Sequence, residues 1–219
     1  MKDYSLHSGE RFPTLDLNLI GNDHLFRYEY VISKLGNSKN RLFGIDVFCG
    51  SGYGAALMSR KMNASILAID GSTEAIENAR QKILAPNIIW ASKQFPFELP
   101  KDVFDFVASM ESIEHVKDHE AFFWTLVNCL KPGGSLFFST PNEDVMPYQG
   151  YKWHYKHFRP SEVRELASQF NLEEIAAFAT SAQVYKDGKA SLYYPYQIAE
   201  STPLDLSTGD ISFFEFKKK

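Results

Sequence analysis

The stretch GIDVFCGSGYGAALMS, residues 44–59, decides the fold. An apolar run that contains one acid, Asp46, ends at Gly50 and Gly52, and small apolar residues follow. This order predicts a buried strand, a tight turn and a helix that starts near Tyr53. Because such a turn presents backbone N–H groups to a ligand, the stretch also predicts a binding site.

Apolar runs alternate with amphipathic segments along the rest of the chain. The predicted strands are 41–48, Ala64–Asp70, Asn87–Ser92, Asp105–Glu111, Ser135–Thr140, Glu173–Ala179 and Ile211–Lys217. The predicted helices are His24–Leu35, one from about Tyr53, 72–83, His119–Leu130 and Pro160–Phe170. This alternation predicts an α/β fold with a doubly wound, mostly parallel, seven-stranded sheet. The last two strands have no helix between them, so we expect them to form an antiparallel C-terminal hairpin at the sheet edge.

Composition restricts the classes of protein that fit. The chain has 219 residues, 44% of them hydrophobic and 15% aromatic, which predicts a single domain over residues 1–219. A net charge of −4 disfavours nucleic acid as a partner. We find no membrane span and no apolar signal region, so we expect a cytoplasmic protein. Cys49 and Cys129 lie in apolar stretches and are predicted to be reduced core residues.

The longest segment without a helix or strand pattern is residues 141–159, which leave the fifth predicted strand. Ligands of open α/β sheets bind at the carboxyl ends of strands, so we expect this segment to serve as a lid or acceptor loop. Aromatic residues are dense in it and recur at Tyr193, Tyr194 and Tyr196. Aromatic faces stack on sugars, quinones or bases.

Two cofactors fit the glycine turn. Gly50-x-Gly52-x-x-Ala55 satisfies the loose dinucleotide pattern, and Asp70 follows where a carboxylate binds ribose hydroxyls. An NAD(P)-dependent oxidoreductase is therefore one interpretation. Asp46 disfavours it, because a carboxylate before the turn repels a pyrophosphate. That carboxylate suits a ligand with an ammonium and a sulfonium group, such as S-adenosylmethionine (SAM).

Four motifs in order carry a resemblance to a known family. DVFCGSGYG, residues 46–54, resembles motif I of the class I SAM-dependent methyltransferases, and AIDGST, FDFVASMESIEHV and LKPGGSLFFSTPN resemble its later motifs. The resemblance implies the Rossmann-like methyltransferase fold and SAM as cofactor. The cofactor-binding residues that it implies are Asp46, Cys49, Gly50, Gly52, Asp70, Gly71, Ser92, Lys93 and Met110.

Two residues depart from the family pattern. Phe48 stands where the family usually has glycine, and Ser92 stands where it often has an acid that faces adenine. We predict that the Phe48 side chain points away from the cofactor or reshapes the turn.

The residues after the fourth predicted strand are candidates for chemistry. If a helical turn starts at Glu111, then Glu111, Glu114 and His115 share one face, and a divalent cation relieves the repulsion of the two carboxylates. Glu-x-x-Glu-His resembles the metal-binding stretch of ubiquinone-biosynthesis O-methyltransferases and of small-RNA 2′-O-methyltransferases, which add a later His. The implied metal set is Glu111, Glu114, His115 and His157, with His154 as the other candidate for the later His.

Metal-free roles remain open for the same residues. The candidate catalytic residues are Glu111, His115 and His154, with either histidine as a general base. The third interpretation of this cluster is a purely structural role, in which the Glu114-His115 pair orders the loop or caps the next helix.

The opening segment SGERFPTLDLNLIGNDHLFRYEYV, residues 8–31, resembles the lead segment of methyltransferases of surface-glycan biosynthesis. The resemblance implies that residues 1–36 cover the cofactor site and that the acceptor is a sugar or another small hydroxylated molecule. We therefore predict a SAM-dependent methyltransferase that favours O-methylation. The alternatives are a metal-assisted RNA 2′-O-methyltransferase, the oxidoreductase above, and a protein that binds SAM without transferring its methyl group.

Overall fold

The computed structural model describes residues 5–180, 183–186, 189–192 and 203–219, so Tyr193, Tyr194 and Tyr196 lie outside the described residues. The α-helices in these ranges are α1 Asn22–Leu35, α2 Tyr53–Lys61, α3 Thr73–Lys82, α4 His119–Asn128 and α5 Pro160–Ser168. The strands are β1 Leu42–Val47, β2 Ala64–Asp70, β3 Ile88–Ser92, β4 Phe104–Met110, β5 Leu130–Pro141, β6 Leu172–Thr180, β7 Gln183–Lys186, β8 Lys189–Leu192 and β9 Ile211–Lys218. Within these ranges no helix is both long enough and apolar enough to cross a bilayer.

Seven strands form one sheet in the order β3-β2-β1-β4-β5-β9-β6. The pairs among β1 to β5 are parallel, and β9 is antiparallel to both β5 and β6. This confirms the predicted doubly wound, mostly parallel sheet and its antiparallel C-terminal pair. The final strand lies inside the sheet and β6 forms the edge, while β7 and β8 form a separate two-stranded sheet that the sequence did not predict.

Local capping sets where the helices begin. The Ser72 hydroxyl accepts the Ala75 N–H at 3.1 Å to start α3, and the Asp118 carboxylate accepts the Ala121 N–H at 3.0 Å to start α4. The prediction that α4 continues to Leu130 and β5 begins only at Ser135 was wrong. Leu130 already pairs with Phe104, across a β-bulge that absorbs the Lys-Pro-Gly-Gly run.

The core lies on both faces of the sheet. One hydrophobic cluster packs the sheet against α1, α2 and α3, and the other packs it against α4 and α5. Successive side chains of β9 point to opposite faces of the sheet, so Phe213 lies in the first cluster and Phe214 in the second. Cys49 and Cys129 are buried and unpaired, as predicted.

Candidate active site

A cavity of about 290 Å³ opens where β1, β2 and β4 end. The strand order reverses between β1 and β4, and such a switch point leaves a crevice outside the strand ends. The cavity walls come from the N-terminal segment, the strand ends and the 141–159 loop. The lining residues are Ser8, Gly9, Arg11, Phe48, Asp70, Gly71, Gln94, Phe95, Pro96, Glu111, His115, Val116, Lys117, Asp118, Trp153 and Tyr155.

The turn between β1 and α2 has three left-handed residues, of which two are glycines. Gly50 has φ +58° and Gly52 has φ +85°, and a Cβ on Gly52 would lie 2.5 Å from the Trp90 ring. The Gly50 N–H donates to Asp70 Oδ2 at 3.0 Å, which ties the turn to the end of β2. Gly50 is therefore needed for its conformation, and Gly52 is needed for both its conformation and close packing.

Phe48 keeps the glycine-like backbone of this turn. Its φ is +60°, a conformation that costs a non-glycine residue about 1–2 kcal/mol. The ring packs on Phe122 with centroids 5.3 Å apart and forms part of the cavity wall. The bulky side chain is thus accommodated against α4.

Asp46 is fully buried beneath the turn. Its Oδ1 accepts a hydrogen bond from the Tyr28 hydroxyl at 3.1 Å, whereas its Oδ2 has no partner. Burial raises the pKa of Asp46 to about 7, and the nearby Asp70 carboxylate adds to this rise. A positively charged group bound nearby would favour the ionised carboxylate.

Asp70 lies at the carboxyl end of β2 and is already well hydrogen-bonded. Besides Gly50, its donors are the Ser72 N–H at 2.8 Å and the Arg11 guanidinium, whose Nη2 lies 2.8 Å from Oδ1. Arg11 comes from the N-terminal segment, so that segment covers the carboxylate predicted to bind ribose. A ligand hydroxyl at Asp70 would compete with the guanidinium.

The other predicted cofactor residues divide into two groups. Gly71 lines the cavity, whereas Ser92 and Lys93 are exposed and lie outside its described lining. The Ser92 hydroxyl instead lies 2.8 Å from the Thr73 hydroxyl. The neighbouring residues Gln94 and Phe95 line the cavity in this region, and the sequence motifs did not single them out.

Cys49 follows the cavity-lining residue Phe48, and Met110 precedes the cavity-lining residue Glu111. The side chains of Cys49 and Met110 are buried, and neither belongs to the described lining of the cavity. The Cys49 N–H donates to the Ile69 carbonyl at 2.9 Å, which extends the pairing of β1 and β2 into the turn.

The helical turn predicted from Glu111 is absent from the described structure. β4 ends at Met110, Glu111 has φ +50°, and a short 3-10 turn spans Ile113–His115. Glu111 therefore does not share a helical face with Glu114 and His115. Glu114 is fully buried, and burial raises its pKa well above the usual range.

Glu111 belongs to a separate ionic cluster with α1. The fully buried Arg27 donates to Glu111 Oε1 at 3.0 Å and to Asp23 Oδ2 at 3.1 Å. His24 Nε2 lies 3.4 Å from Glu111 Oε2. The single positive charge of the guanidinium is thus shared by two carboxylates, those of Asp23 and Glu111.

His115 lines the cavity, and its ring contacts the 141–159 loop. Its Nδ1 lies 3.1 Å from the Trp153 carbonyl oxygen, and the Tyr155 N–H donates to the Glu114 carbonyl at 2.7 Å. Burial lowers the pKa of His115 to about 4, so its ring is neutral at pH 7. These contacts fix the loop against the turn that follows β4.

His154 and His157 form a chain of hydrogen bonds behind His115. His154 Nδ1 lies 2.7 Å from His157 Nε2, and His154 Nε2 lies 2.8 Å from Glu10 Oε2. The His115 and His154 rings meet edge to face at 4.8 Å. Of the three histidines, His115 alone belongs to the described lining of the cavity.

Sequence reasoning did not assign individual roles to Glu10 and Arg11. The Gly-Glu-Arg-Phe run pointed to a segment over the pocket, but it did not indicate that Arg11 binds Asp70 or that Glu10 meets His154. Both partners are distant in sequence. No local pattern in the lead segment signalled these contacts.

Comparisons with known proteins agree with this geometry. A sequence profile of a methyltransferase domain family matches residues 28–180. The ubiquinone biosynthesis O-methyltransferase of Vibrio cholerae is 31% identical over 170 residues, which are 68% of this chain and 67% of that protein. The enzyme of the same name from Aliivibrio fischeri is 30% identical over 171 residues, 68% of this chain and 70% of that protein.

A solved structure shares the fold at low sequence identity. The S-adenosylmethionine dependent methyltransferase from Mesorhizobium loti has a TM-score of 0.64 to this chain, with 16% identity, and the match covers 87% of this chain and 98% of that one. At this identity the likeness shows the fold alone.

Proposed function

Because the chain belongs to the methyltransferase domain family, and is a class I SAM-dependent methyltransferase by that membership and its relatives, we propose that it methylates a hydroxyl oxygen of a small acceptor. One observation carries this proposal. A single cavity joins Asp70 and Gly71 at one end to Glu111 and His115 at the other. Direct transfer requires the cofactor and the acceptor to share such a space.

The residues around the glycine turn fit SAM. The unpartnered Oδ2 of Asp46 is a buried acceptor beneath the turn, and the Asp70 carboxylate at the end of β2 suits ribose hydroxyls. Phe48 and Phe95 offer apolar surface for a base. We assign Asp46, Asp70 and the turn as the cofactor site. Gly71 belongs to it, and Ser92 and Lys93 stay candidates for the adenine contact beside the lining residues Gln94 and Phe95.

The acceptor end of the cavity supports a small, hydroxylated substrate. Trp153 and Tyr155 line it, and an aromatic wall suits a sugar face or a ring. The base of the 141–159 loop is closed by a bridge between Asn142 and Phe158, which gives the loop a fixed hinge. We propose that this loop is the acceptor lid and that residues 1–36 form the cover of the cofactor site within a single domain.

The chain's own contribution to the reaction is mostly positioning. When bound, SAM supplies a methyl group on a sulfonium sulfur, which is a good leaving group. Glu111 and His115 line the cavity where an acceptor hydroxyl would be oriented, and both stay candidates for binding its proton. His154 contacts that region through the His115 ring. The loop and the N-terminal segment would exclude water.

The location of the protein is part of the same proposal. Cys49 and Cys129 are buried and unpaired, as is usual in a reducing compartment. We therefore propose that the enzyme acts in the cytoplasm.

Calorimetric titration of SAM tests the cofactor assignment. Asp70→Asn should weaken SAM binding about tenfold or more, a loss of about 1.4 kcal/mol, since the neutral amide binds ribose hydroxyls less well. Asp144→Asn is the matched control, because the Asp144 side chain forms an exposed ion pair with Arg159 and does not line the cavity. Equal affinity for the two variants would refute the assignment.

Transfer from isotopically labelled SAM tests the acceptor class. The acceptor panel contains sugars, catechols and the corresponding amines, and mass spectrometry locates the label. We expect labelled methyl ethers from hydroxylated acceptors. Products formed only from amines, or NADH binding in place of SAM binding, would overturn the proposal.

A further inference from the structure

The metal set implied by Glu-x-x-Glu-His does not assemble among the described residues. Glu111 Oε1 accepts from the buried guanidinium of Arg27 at 3.0 Å, so its charge is already balanced. Glu114 is wholly buried, with Oε2 3.4 Å from the Thr140 hydroxyl. Both ring nitrogens of His157 are engaged in hydrogen bonds. These groups do not offer a cation a common set of free ligand atoms.

A different cluster does bring three ligand atoms together. One atom each from Glu10, His115 and His154 lie within 4.8 Å of one another. The three residues come from the N-terminal segment, the turn after β4 and the 141–159 loop. Two imidazoles and one carboxylate form a donor set that binds divalent transition metals.

Hydrogen bonds fix which ring nitrogens hold the lone pairs. His115 Nδ1 lies 3.1 Å from a backbone carbonyl, which only accepts, so the proton is on Nδ1 and the lone pair on Nε2. His157 Nδ1 likewise donates to the Met146 carbonyl at 2.7 Å, so its Nε2 accepts from His154 Nδ1. His154 Nε2 then faces the Glu10 carboxylate at 2.8 Å.

Two acceptors face each other at that last contact. In the neutral tautomer His154 Nε2 has a lone pair, and the ionised Glu10 carboxylate has no proton to donate. Either an added proton or a cation must hold the pair together. Metal-bound histidines commonly donate their other ring N–H to a carbonyl or a second side chain, which is the arrangement of both His115 and His154.

We propose that Glu10, His115 and His154 bind a divalent transition-metal ion, such as Zn²⁺, Fe²⁺ or Co²⁺. Three protein ligands leave a coordination position for water or substrate. His115 lines the cavity, so the ion would lie beside the acceptor end of the site. In this arrangement His115 and His154 are metal ligands instead of bases.

The second group of possible ligands in the described chain does not compete for this role. Asp23, His24 and Glu111 also place ligand atoms within 4.8 Å of one another. The Arg27 guanidinium donates to both of these carboxylates and is fully buried between them. A divalent cation there would meet a fixed positive charge, whereas the described partners of Glu10 in its cluster are two imidazole rings, which can offer lone pairs to a cation.

The proposed site has a structural consequence for the cover of the cavity. Glu10 precedes Arg11, which binds Asp70 at the other end of the cavity. A metal ion on Glu10 would therefore hold the N-terminal segment against the turn after β4 and the 141–159 loop at once. Removal of the ion should loosen the segment.

Cobalt titration of chelator-treated protein tests the site directly. Visible absorption follows Co²⁺ binding in the absence of SAM, so failure here is separate from failure of the methyltransferase proposal. We expect one Co²⁺ per chain with micromolar or tighter affinity, and competition by Zn²⁺. Glu10→Gln and His154→Gln should each weaken binding about tenfold or more. Glu10 is half-exposed, so its variant is expected to fold.

Two further variants make the outcome decisive. Glu74→Gln is the matched control, since Glu74 accepts the Leu6 N–H at 2.9 Å and contacts the same segment without joining the cluster. It should bind Co²⁺ as the wild type does. Loss of binding in Glu111→Gln with full binding in Glu10→Gln would assign the ion to the Glu-x-x-Glu-His set and overturn the proposal. No stoichiometric binding by the wild type would show that a proton holds the Glu10–His154 pair.

Discussion

Replacement of Asp46 by asparagine should stabilise the SAM-free protein, and more so at high pH. The carboxyl group is fully buried, and its pKa is raised from 3.8 to about 7. The folded state therefore binds this proton more tightly than the unfolded state. Stability falls as the pH rises from about 4 to about 7, and the loss is complete above that window.

The size of the effect follows from the two pKa values. Between a pKa of 3.8 unfolded and about 7 folded, the ionisable carboxyl lowers the free energy of unfolding by about 2 kcal/mol at pH 5 and about 4 kcal/mol at pH 8. The asparagine side chain would keep an oxygen for the Tyr28 hydroxyl and has no proton to lose. The stabilisation by Asp46→Asn should thus be about 2–3 kcal/mol larger at pH 8 than at pH 5.

Urea unfolding at pH 5 and pH 8 measures this difference. Wild type, Asp46→Asn and the surface control Asp144→Asn are compared without SAM, with fluorescence and circular dichroism as two probes of one transition. The control should show the pH dependence of the wild type. If Asp46→Asn shows the same pH dependence, the buried carboxyl is not its source, and the argument from the raised pKa of Asp46 is refuted.

Substitutions of other residues test the contacts around the cavity. Arg11→Met should tighten SAM binding about 3- to 10-fold by calorimetry, because the guanidinium no longer competes for Asp70; weaker binding would show that Arg11 holds the cofactor instead. Phe48→Gly should be more stable to urea than Phe48→Ala by about 1 kcal/mol, because φ is +60°; the usual opposite order would contradict this. Arg27→Met should lower the free energy of unfolding by about 3–5 kcal/mol, since it leaves the buried Asp23 carboxylate and the partly buried Glu111 carboxylate uncompensated. Addition of Glu111→Gln should recover part of that loss, and a purely additive double variant would count against the ion pair.

The sequence predicted the parallel sheet and the glycine turn because their signals are local. Apolar runs, helix caps and the positions of Gly50 and Gly52 are properties of neighbouring residues. The predicted start of β5 was wrong because a tertiary contact determines it. Gly133 and Gly134 indicated a loop, but pairing of Leu130 with β4 continues the strand across a bulge.

The contacts that shape the site were not predictable in the same way. Glu10 meets His154 and Arg11 meets Asp70 across 144 and 59 residues of sequence, and no local pattern encodes such pairs. The turn after β4 shows the same limit. Glu111 takes a left-handed conformation there and is not part of a helix. The i, i+3, i+4 spacing therefore does not place its side chain on one face with Glu114 and His115.

The position of β9 has a consequence for biosynthesis. During synthesis, β5 and β6 leave the ribosome before residues 211–218. The two strands do not pair with each other, because β9 lies between them and pairs with both. Until β9 is synthesised, the open edge of β5 and the whole of β6 would be exposed on the nascent chain. Phe213, Phe214 and Phe216 then close both hydrophobic clusters together. Folding of the sheet is therefore expected to finish only after synthesis of this strand, and chaperones that shield strand edges should bind before it.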